Sequence, residues 1–97
     1  MLPVVKMVIP QCCRPGERVV VIGNNFCNSG NIKVSFNDVS IVPAFHESGT
    51  LICTVPRLAF KSSDVISQNE MQVSVRVSND SITFSDSVFT IIYYNDQ

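Results

Sequence analysis

Four cysteines and a single histidine offer the most varied chemistry in this sequence. They are Cys12, Cys13, Cys27, Cys53 and His46. Because no C-x-x-C pair occurs and His46 is far from the cysteines, the spacing is unsuited to zinc, and we expect no bound metal. Adjacent cysteines close only a strained ring, so Cys12 and Cys13 are interpreted as two separate thiols. The even count leaves a disulfide framework open, although Cys53 lies in an apolar run, where a free cysteine acts as a small hydrophobe.

The polar residues do not form a recognisable catalytic pattern. Nucleophilic catalysis needs a serine, cysteine or threonine beside an oriented base, whereas His46 lies in a turn sequence, His-Glu-Ser-Gly. Asp80 and Asp86 are near each other, but a hairpin would place them on exposed rims instead of in a cleft. No glycine-rich phosphate-binding motif occurs. We therefore predict that this is not an enzyme, with no catalytic residues, no cofactor and no small-molecule substrate.

The composition excludes several other classes. Hydrophobic residues make up 45% of the 97 residues and charged ones 15%, which excludes a disordered tail and suits a small buried core. The net charge is −1, and the seven basic residues are scattered singly. Since a protein that grips DNA alone needs a basic stripe, we expect DNA contact only through neighbouring domains. No apolar run reaches about 18 residues, so no membrane insertion is expected.

Alternating hydrophobic residues predict the elements that carry these groups. Period-two patterns in residues 32–36, 51–55 and 71–77 indicate strands with one face on the core and one in water. Residues 18–22 are β-branched and nearly all apolar, which favours a central strand covered on both faces. These four segments are the strongest strand predictions in the sequence.

Weaker segments complete the predicted architecture. Residues 4–9 and 88–94 are expected to form outer strands, and 39–45 a short strand interrupted by Pro43. The alternating apolar residues switch from even-numbered to odd-numbered positions along the last segment, which predicts a break at residues 85–87. Asn37-Asp38 has the spacing of a tight hairpin. About seven short strands separated by turns predict an all-β, immunoglobulin-like β-sandwich, and we expect residues 1–97 to be a single domain of a longer protein.

Residues 57–70 form the one long connection between predicted strands, with at most one helical turn. Its apolar side chains are Leu58, Phe60, Val65 and Ile66. They either cover the open end of the sandwich or belong to a docking loop, because long loops on rigid β scaffolds often carry binding residues. The second interpretation predicts five partner-binding residues: Arg57, Phe60, Lys61, Val65 and Ile66.

Several segments combine into a pattern that covers nearly the whole chain. They are residues 20–26, 32–36 and 51–56 and the Val-x-Val-x-Val strand of 73–77. In this order and at these spacings they resemble the IPT/TIG family of immunoglobulin-like domains. On that resemblance, Gly23 permits a tight exit from its strand, Phe26 fills the core from a loop, and Pro56 ends a later strand.

Within that family, the sequence looks most similar to the C-terminal domain of CSL-type, Notch-effector transcription factors. The similarity rests on residues 3–5, on the long loop with Phe60 after 51–56, and on the turn at 77–80, although Ser81 stands where a glycine is expected. This resemblance implies a nuclear, DNA-bound protein whose domain docks co-regulator proteins while neighbouring domains read the bases.

An extracellular or cell-surface module of a plexin-like receptor or adhesion protein is the alternative. Four cysteines favour it, and Asn79-Asp80-Ser81 matches the N-glycosylation pattern, which has meaning only in a secreted chain. Asn79 is therefore a possible glycosylation site under this alternative. Protein partners are expected under both interpretations.

Overall fold

Ten β-strands form two sheets in the computed structural model, which describes residues 2–59 and 62–94. The strands are β1 (Val4–Ile9), β2 (Cys12–Cys13), β3 (Arg18–Asn24), β4 (Lys33–Phe36), β5 (Val39–Ile41), β6 (Ala44–Glu47), β7 (Thr50–Thr54), β8 (Val65–Ser67), β9 (Glu70–Ser78) and β10 (Phe89–Tyr94). None of the described residues is helical. The predicted all-β, immunoglobulin-like sandwich is confirmed.

The four-stranded sheet is antiparallel throughout, in the order β1-β3-β7-β6. The six-stranded sheet has the order β2-β10-β9-β4-β5, and β8 also pairs with β9. The chain passes from the first sheet to the second after β1, through a cis peptide bond between Ile9 and Pro10. It then forms β2, which pairs in parallel with β10. The first strand segment is thereby divided between the two sheets.

β9 organises the six-stranded sheet because it has neighbours along both edges. β10 pairs with one edge, and β8 and β4 pair end to end along the other. Between β8 and β4, Asn37 N–H donates to Ser74 O and Asn37 Oδ1 accepts from Ser74 N, both at 2.9 Å. Asn37 has a φ of 57°, as a two-residue hairpin loop requires, and the hairpin predicted at Asn37-Asp38 is confirmed.

The core lies between the inner faces of the two sheets. Its largest fully buried side chains include Tyr93, Phe36, Leu51, Met71 and Ile91. Phe36 on β4 therefore points into the core, as the alternating pattern of residues 32–36 predicts. Cys53 is 2% exposed, and burial raises the pKa of its thiol to about 12, so it packs as the small hydrophobe expected.

Gly23 is required for a reason other than the predicted one. A Cβ at this position would lie 1.8 Å from Val4 O and 2.8 Å from Phe26 Cζ, so the glycine permits close approach of β1 and the Phe26 ring. The turn itself is made by Asn25, whose φ is 67°. Phe26 is 3% exposed, which confirms that it fills the core from its loop.

The prediction that residues 18–22 are covered on both faces is wrong. β3 is central in its sheet, and Val19 and Val21 are fully buried. Val20 and Ile22, which point to the opposite face, are only half-buried. A strand that is apolar on both faces thus has one face in the core and the other on the outside of the sandwich.

The connections before β9 and β10 complete the fold. Residues 57–70 contain the short strand β8, which was not predicted and forms because the returning chain pairs with the start of β9. Before β10, the predicted break at 85–87 is present, and Ser85 N–H donates to Val77 O at 2.8 Å. Ile82 precedes this break and is 82% exposed, so it contributes nothing to the core.

Candidate interaction site

The predicted docking loop starts at a fixed point. Leu58 is 8% exposed, and its N–H donates to the Tyr93 hydroxyl oxygen at 2.9 Å. Since Tyr93 is fully buried, this hydrogen bond ties the beginning of the loop to β10. Leu58 thus covers the end of the sandwich, whereas the preceding Arg57 is exposed.

The loop returns along β8, where two of the predicted partner-binding residues lie. Val65 pairs with Met71, and Asp64 O accepts a hydrogen bond from Gln72 N at 2.9 Å. Val65 is 40% exposed and Ile66 48% exposed. Pairing with β9 therefore holds Val65 at the surface, and the adjacent Ile66 lies at an irregularity in the register between the paired residues Val65 and Ser67.

The five predicted partner-binding residues do not all fall in one described cluster. Arg57 lies beside the Leu58 attachment point, and Val65 and Ile66 lie on β8. Phe60 and Lys61 lie outside the described residues. The three described side chains therefore occupy the two ends of the connection.

A small cavity of about 80 Å³ lies where the start of this loop meets the β4–β5 hairpin. Its lining residues are Phe36, Asn37, Asp38, Val39, Leu58 and Ala59. The volume corresponds to roughly two or three water molecules, so it can accept one small side chain at most.

The outer face of the six-stranded sheet is polar where β4, β5 and β9 lie side by side. Ser35 on β4 lies opposite both Ser40 on β5 and Arg76 on β9. These residues form part of an open groove of about 530 Å³, with a lining of Ser35, Asn37, Asp38, Ser40, Asp64, Ser74, Arg76 and Phe84. Small hydroxyls, one cation and two carboxylates make this a hydrated surface.

The outer face of the four-stranded sheet is apolar, and sequence reasoning missed it. Cross-strand pairing places Ile9 opposite Val20, Val20 opposite Ile52, and Ile52 opposite Ala44. A second row places Met7 opposite Ile22. We call this surface the outer apolar face: Met7, Ile9, Val20, Ile22, Ala44 and Ile52. The signal for this face in the sequence is that residues 18–22 are nearly all apolar, at both odd-numbered and even-numbered positions.

A groove of about 600 Å³ adjoins the outer apolar face. Its lining residues are Arg18, Ile41, Val42, Ala44, Ile52, Cys53, Thr54, Val55 and Pro56. Val42 is 67% exposed and belongs to the connection between β5 and β6. The groove shares Ala44 and Ile52 with the outer apolar face, so the two form one continuous apolar surface.

Asn79, the possible glycosylation site, joins two loops at one end of the sandwich. Its Nδ2 donates to Asn25 O at 2.8 Å, and its Oδ1 accepts from Cys27 N at 3.0 Å. Ser29 Oγ donates to Asn79 O at 2.8 Å. A glycan on Nδ2 would have to be accommodated beside the hydrogen bond to Asn25.

The adjacent Asp80 shapes its own turn. Its Oδ1 accepts from Thr83 N at 2.8 Å, from Ile82 N at 2.9 Å and from Ser78 Oγ at 2.8 Å. These hydrogen bonds, with that of Thr83 the largest contributor, lower the pKa of the Asp80 carboxyl. Ser81 has a φ of 69°, in the left-handed region that favours glycine. Asp80 therefore has a structural role in this turn.

The groups considered for catalysis or metal binding lie apart. His46 Nε2 is 3.8 Å from Glu47 Oε2, and the His46 side chain is 63% exposed. Within residues 2–59 and 62–94, no group of three or more histidine, cysteine or acidic side chains is placed to hold a metal ion. The same described part of the chain contains no helix long and apolar enough to cross a membrane.

All four cysteines are free thiols in the structure. Cys12 and Cys27 are exposed, whereas Cys13 and Cys53 are buried. Burial, followed by the nearby charge of Glu17, raises the pKa of Cys13 to about 11. Cys12 and Cys13 point to different environments, as interpreted from the strain of a vicinal ring.

A model of the IPT/TIG domain family matches residues 3–91. The chain belongs to the IPT/TIG family. The predicted family and fold are thereby confirmed, and IPT/TIG domains are non-enzymatic modules that generally mediate protein interactions. A search of curated proteins found no match for this IPT/TIG sequence.

Solved bacterial structures contain a unit similar to this IPT/TIG domain. A protein of unknown function from Bacteroides thetaiotaomicron is 22% identical with a TM-score of 0.65. The match covers 96% of this chain and 22% of that protein. An auxiliary nutrient binding protein from Bacteroides ovatus is 23% identical with a TM-score of 0.60. The match covers 100% of this chain and 21% of that protein. A candidate phosphatase from B. thetaiotaomicron is 15% identical with a TM-score of 0.58. The match covers 96% of this chain and 17% of that protein. At these identities the similarity shows the fold alone, and the chain spans about a fifth of these proteins.

Proposed function

We propose that this IPT/TIG domain is a non-catalytic interaction module of a DNA-bound transcription regulator, in which it docks co-regulator proteins. The observation that carries the proposal is the β8 strand, which holds Val65 and Ile66 at the surface, 40% and 48% exposed. Because the loop is fixed at Leu58 and paired with β9, these side chains lose little conformational entropy when a partner binds. The resemblance to CSL-type C-terminal domains points to the same loop and to a nuclear protein.

Charge supports an indirect role at DNA. The net charge of −1 gives little attraction for phosphate, so contact with DNA is assigned to neighbouring domains of the parent protein. This part of the proposal treats residues 1–97 as one domain of a longer chain. Arg57, Phe60, Lys61, Val65 and Ile66 are proposed to contact the co-regulator.

A reporter assay tests this function. The full chain is fused to a heterologous DNA-binding domain and directed to a promoter in nuclei, where a docking module changes transcription by recruiting a co-regulator. We expect the double variant Val65→Ser, Ile66→Ser to lose most of that change. The matched control, Ile82→Ser with Val88→Ser, also replaces two exposed apolar residues and should retain it. An unchanged reporter with the wild-type chain, or equal loss in both double variants, would contradict the proposal.

The second candidate is an extracellular module of a receptor or adhesion protein. The observations that favour it are the glycosylation pattern at Asn79 and the exposed cysteines Cys12 and Cys27. Expression through a secretory pathway distinguishes the two. A mass increase that is removed by a glycosidase and by Ser81→Ala would support the extracellular candidate, whereas an unmodified Asn79 would weigh against it.

A further inference from the structure

The outer apolar face has a defined length and cationic ends. Arg18 lies at one end of β3, opposite Thr54, and points to the same side as Val20 and Ile22. At the other end, Lys6 Nζ lies 3.1 Å from the amide oxygen of Asn24 once that amide is oriented to satisfy its hydrogen bonds. Arg18 and Asn24 are the two ends of the seven-residue strand β3, so six residue steps of about 3.3 Å separate them by about 20 Å.

Polar residues on β7 and β6 flank this face beside the row of Met7 and Ile22. Thr50 follows Ile22 across the sheet, and Glu47 follows Thr50 on β6. An apolar centre with a polar rim is the arrangement of protein interfaces. Two cations against one carboxylate give the rim a positive excess, so two copies of this chain packed face to face would bring like net charge together.

The adjoining groove adds depth at the Arg18 end. Arg18 and Thr54 line it together with Val42 and Ile52. Val42 stands 67% exposed as its wall, so the groove can accept an apolar side chain that projects from a partner lying on the sheet. A flat partner would leave it unfilled.

We propose that the outer apolar face binds an acidic amphipathic helix of a partner protein. A helix rises 1.5 Å per residue, so the 20 Å between the cationic ends corresponds to about 13 residues. Apolar side chains at i, i+3, i+4 and i+7 of a helix that follows β3 would lie first on the row of Val20 and Ile52 and then on the row of Ile22. One side chain enters the groove, and acidic residues at the two ends of the helix meet Lys6 and Arg18. This inference rests on the proposed function only in requiring a protein partner, and it uses a surface distinct from β8.

Two synthetic peptides of fourteen residues test the charge and the shape together. Both carry leucines at the helical spacing; one has glutamates at both ends, and the matched control has lysines there. We expect the glutamate peptide to bind the full chain in a fluorescence anisotropy titration, and the lysine peptide to bind at least about tenfold more weakly. Added salt should reduce this difference, and backbone amide shifts should change in β1, β3 and β7.

Charge reversal on the protein provides the decisive variant. Arg18→Glu changes an exposed side chain, so the fold is expected to persist, and the preference between the two peptides should be reduced at least about tenfold. Arg76→Glu, on the polar outer face of the other sheet, is the matched control and should leave binding unchanged. Thermal unfolding followed by circular dichroism verifies that both variants are folded.

Several results would overturn the inference. They are no binding of the glutamate peptide, equal binding of both peptides, or amide shifts confined to β8 and β9. Sedimentation could also show a dimer that Ile9→Lys converts to a monomer. In that case the outer apolar face would bind a second copy of this chain instead of a helix. Because Val65→Ser with Ile66→Ser leaves the outer apolar face intact, that variant should still bind the peptide, so failure here and failure of the proposed function are separable.

Discussion

The two sheets of this sandwich have similar inner faces and opposite outer faces. Inside, Val21 and Leu51 of one sheet and Phe36 and Val75 of the other are all fully buried. Outside, the four-stranded sheet presents the outer apolar face, whereas the six-stranded sheet presents serines, Arg76 and two carboxylates. Burial in the core explains the inner faces completely, and it explains nothing about the difference outside.

That difference separates two reasons for a residue to be apolar. A side chain on the inner face contributes to folding, so its replacement lowers the free energy of unfolding. A half-exposed side chain such as Val20 contributes less to folding and is more readily explained by a partner. The comparison therefore predicts which substitutions affect stability and which affect binding.

The largest effect is expected from Phe36→Ala. Phe36 is fully buried, so the variant loses ring burial and creates a cavity, at a cost of about 3–5 kcal/mol in the free energy of unfolding. Urea denaturation measures the loss. Ile82→Ala, at an 82% exposed position, serves as the control and should change stability by less than about 0.5 kcal/mol. A loss under about 1 kcal/mol for Phe36→Ala would show that this inner face is not packed as described.

Neighbouring residues of β3 give the next effect. Val21→Thr places a hydroxyl in the core, where it lacks water, and should cost about 1–3 kcal/mol. Val20→Thr makes the same chemical change on the outer apolar face and should cost less than about 0.5 kcal/mol. Denaturation of both variants under one condition measures the contrast. Equal losses would show that the outer face is as important for folding as the inner one.

Thiol reactivity should divide the cysteines in the same way. At about pH 8 a thiol reagent is expected to modify exposed Cys12 and Cys27 quickly. Cys13 and Cys53 are buried, with pKa values raised to about 11 and 12, so they should react on the order of a hundredfold more slowly. Mass spectrometry over time measures the four rates. Two disulfides in the native protein would contradict the free thiols described.

Alkaline pH should weaken the folded state through the same two thiols. Both folded pKa values lie above the ordinary 9.0, so their stabilising contribution is complete below about pH 9 and decreases as pH rises toward 11–12. Urea midpoints measured from pH 8 to 10.5 follow this loss. Cys53→Ala should make the dependence shallower, and an unchanged slope in that variant would contradict the assignment.

The smallest effect concerns acid. Hydrogen bonds to the Asp80 carboxylate lower its pKa below the ordinary 3.8, so its contribution is complete above that value and is lost as pH falls through the lower, folded value. Asp80→Asn should flatten the decline in stability at acid pH, as thermal melts between about pH 2 and 5 can measure. An unaltered acid profile would show that these hydrogen bonds do not favour the ionised form.

Period-two patterns predicted most of the fold because one face of each strand is buried in the core. They located β4, β7 and β9 within one or two residues. They missed β2 and β8, whose two and three residues are too short to show a period and which form only because β10 and β9 offer free edges. Segments of this length carry no local signal of their pairing.

The candidate sites were less predictable than the fold. The sequence identified Val65 and Ile66 as part of a long apolar loop, but burial of Leu58 could only be seen once Tyr93 was placed beside it. The outer apolar face brings together Ile9, Val20 and Ile52 from three strands, so no single stretch of sequence contains it. Its one local sign is that residues 18–22 are nearly all apolar, at both odd-numbered and even-numbered positions. That pattern predicts a strand covered on both faces instead of an exposed apolar face.

The direction of β9 has a mechanical consequence. Leu2 lies with Asn79 and Asp80 just beyond the end of β9, whereas Tyr94 pairs with Glu70 at its start. Leu2 and Tyr94 are therefore separated by about the length of this strand, roughly 25–30 Å. Tension applied between these two residues would run parallel to the strands and load many backbone hydrogen bonds at once, as in shear, instead of opening them one after another.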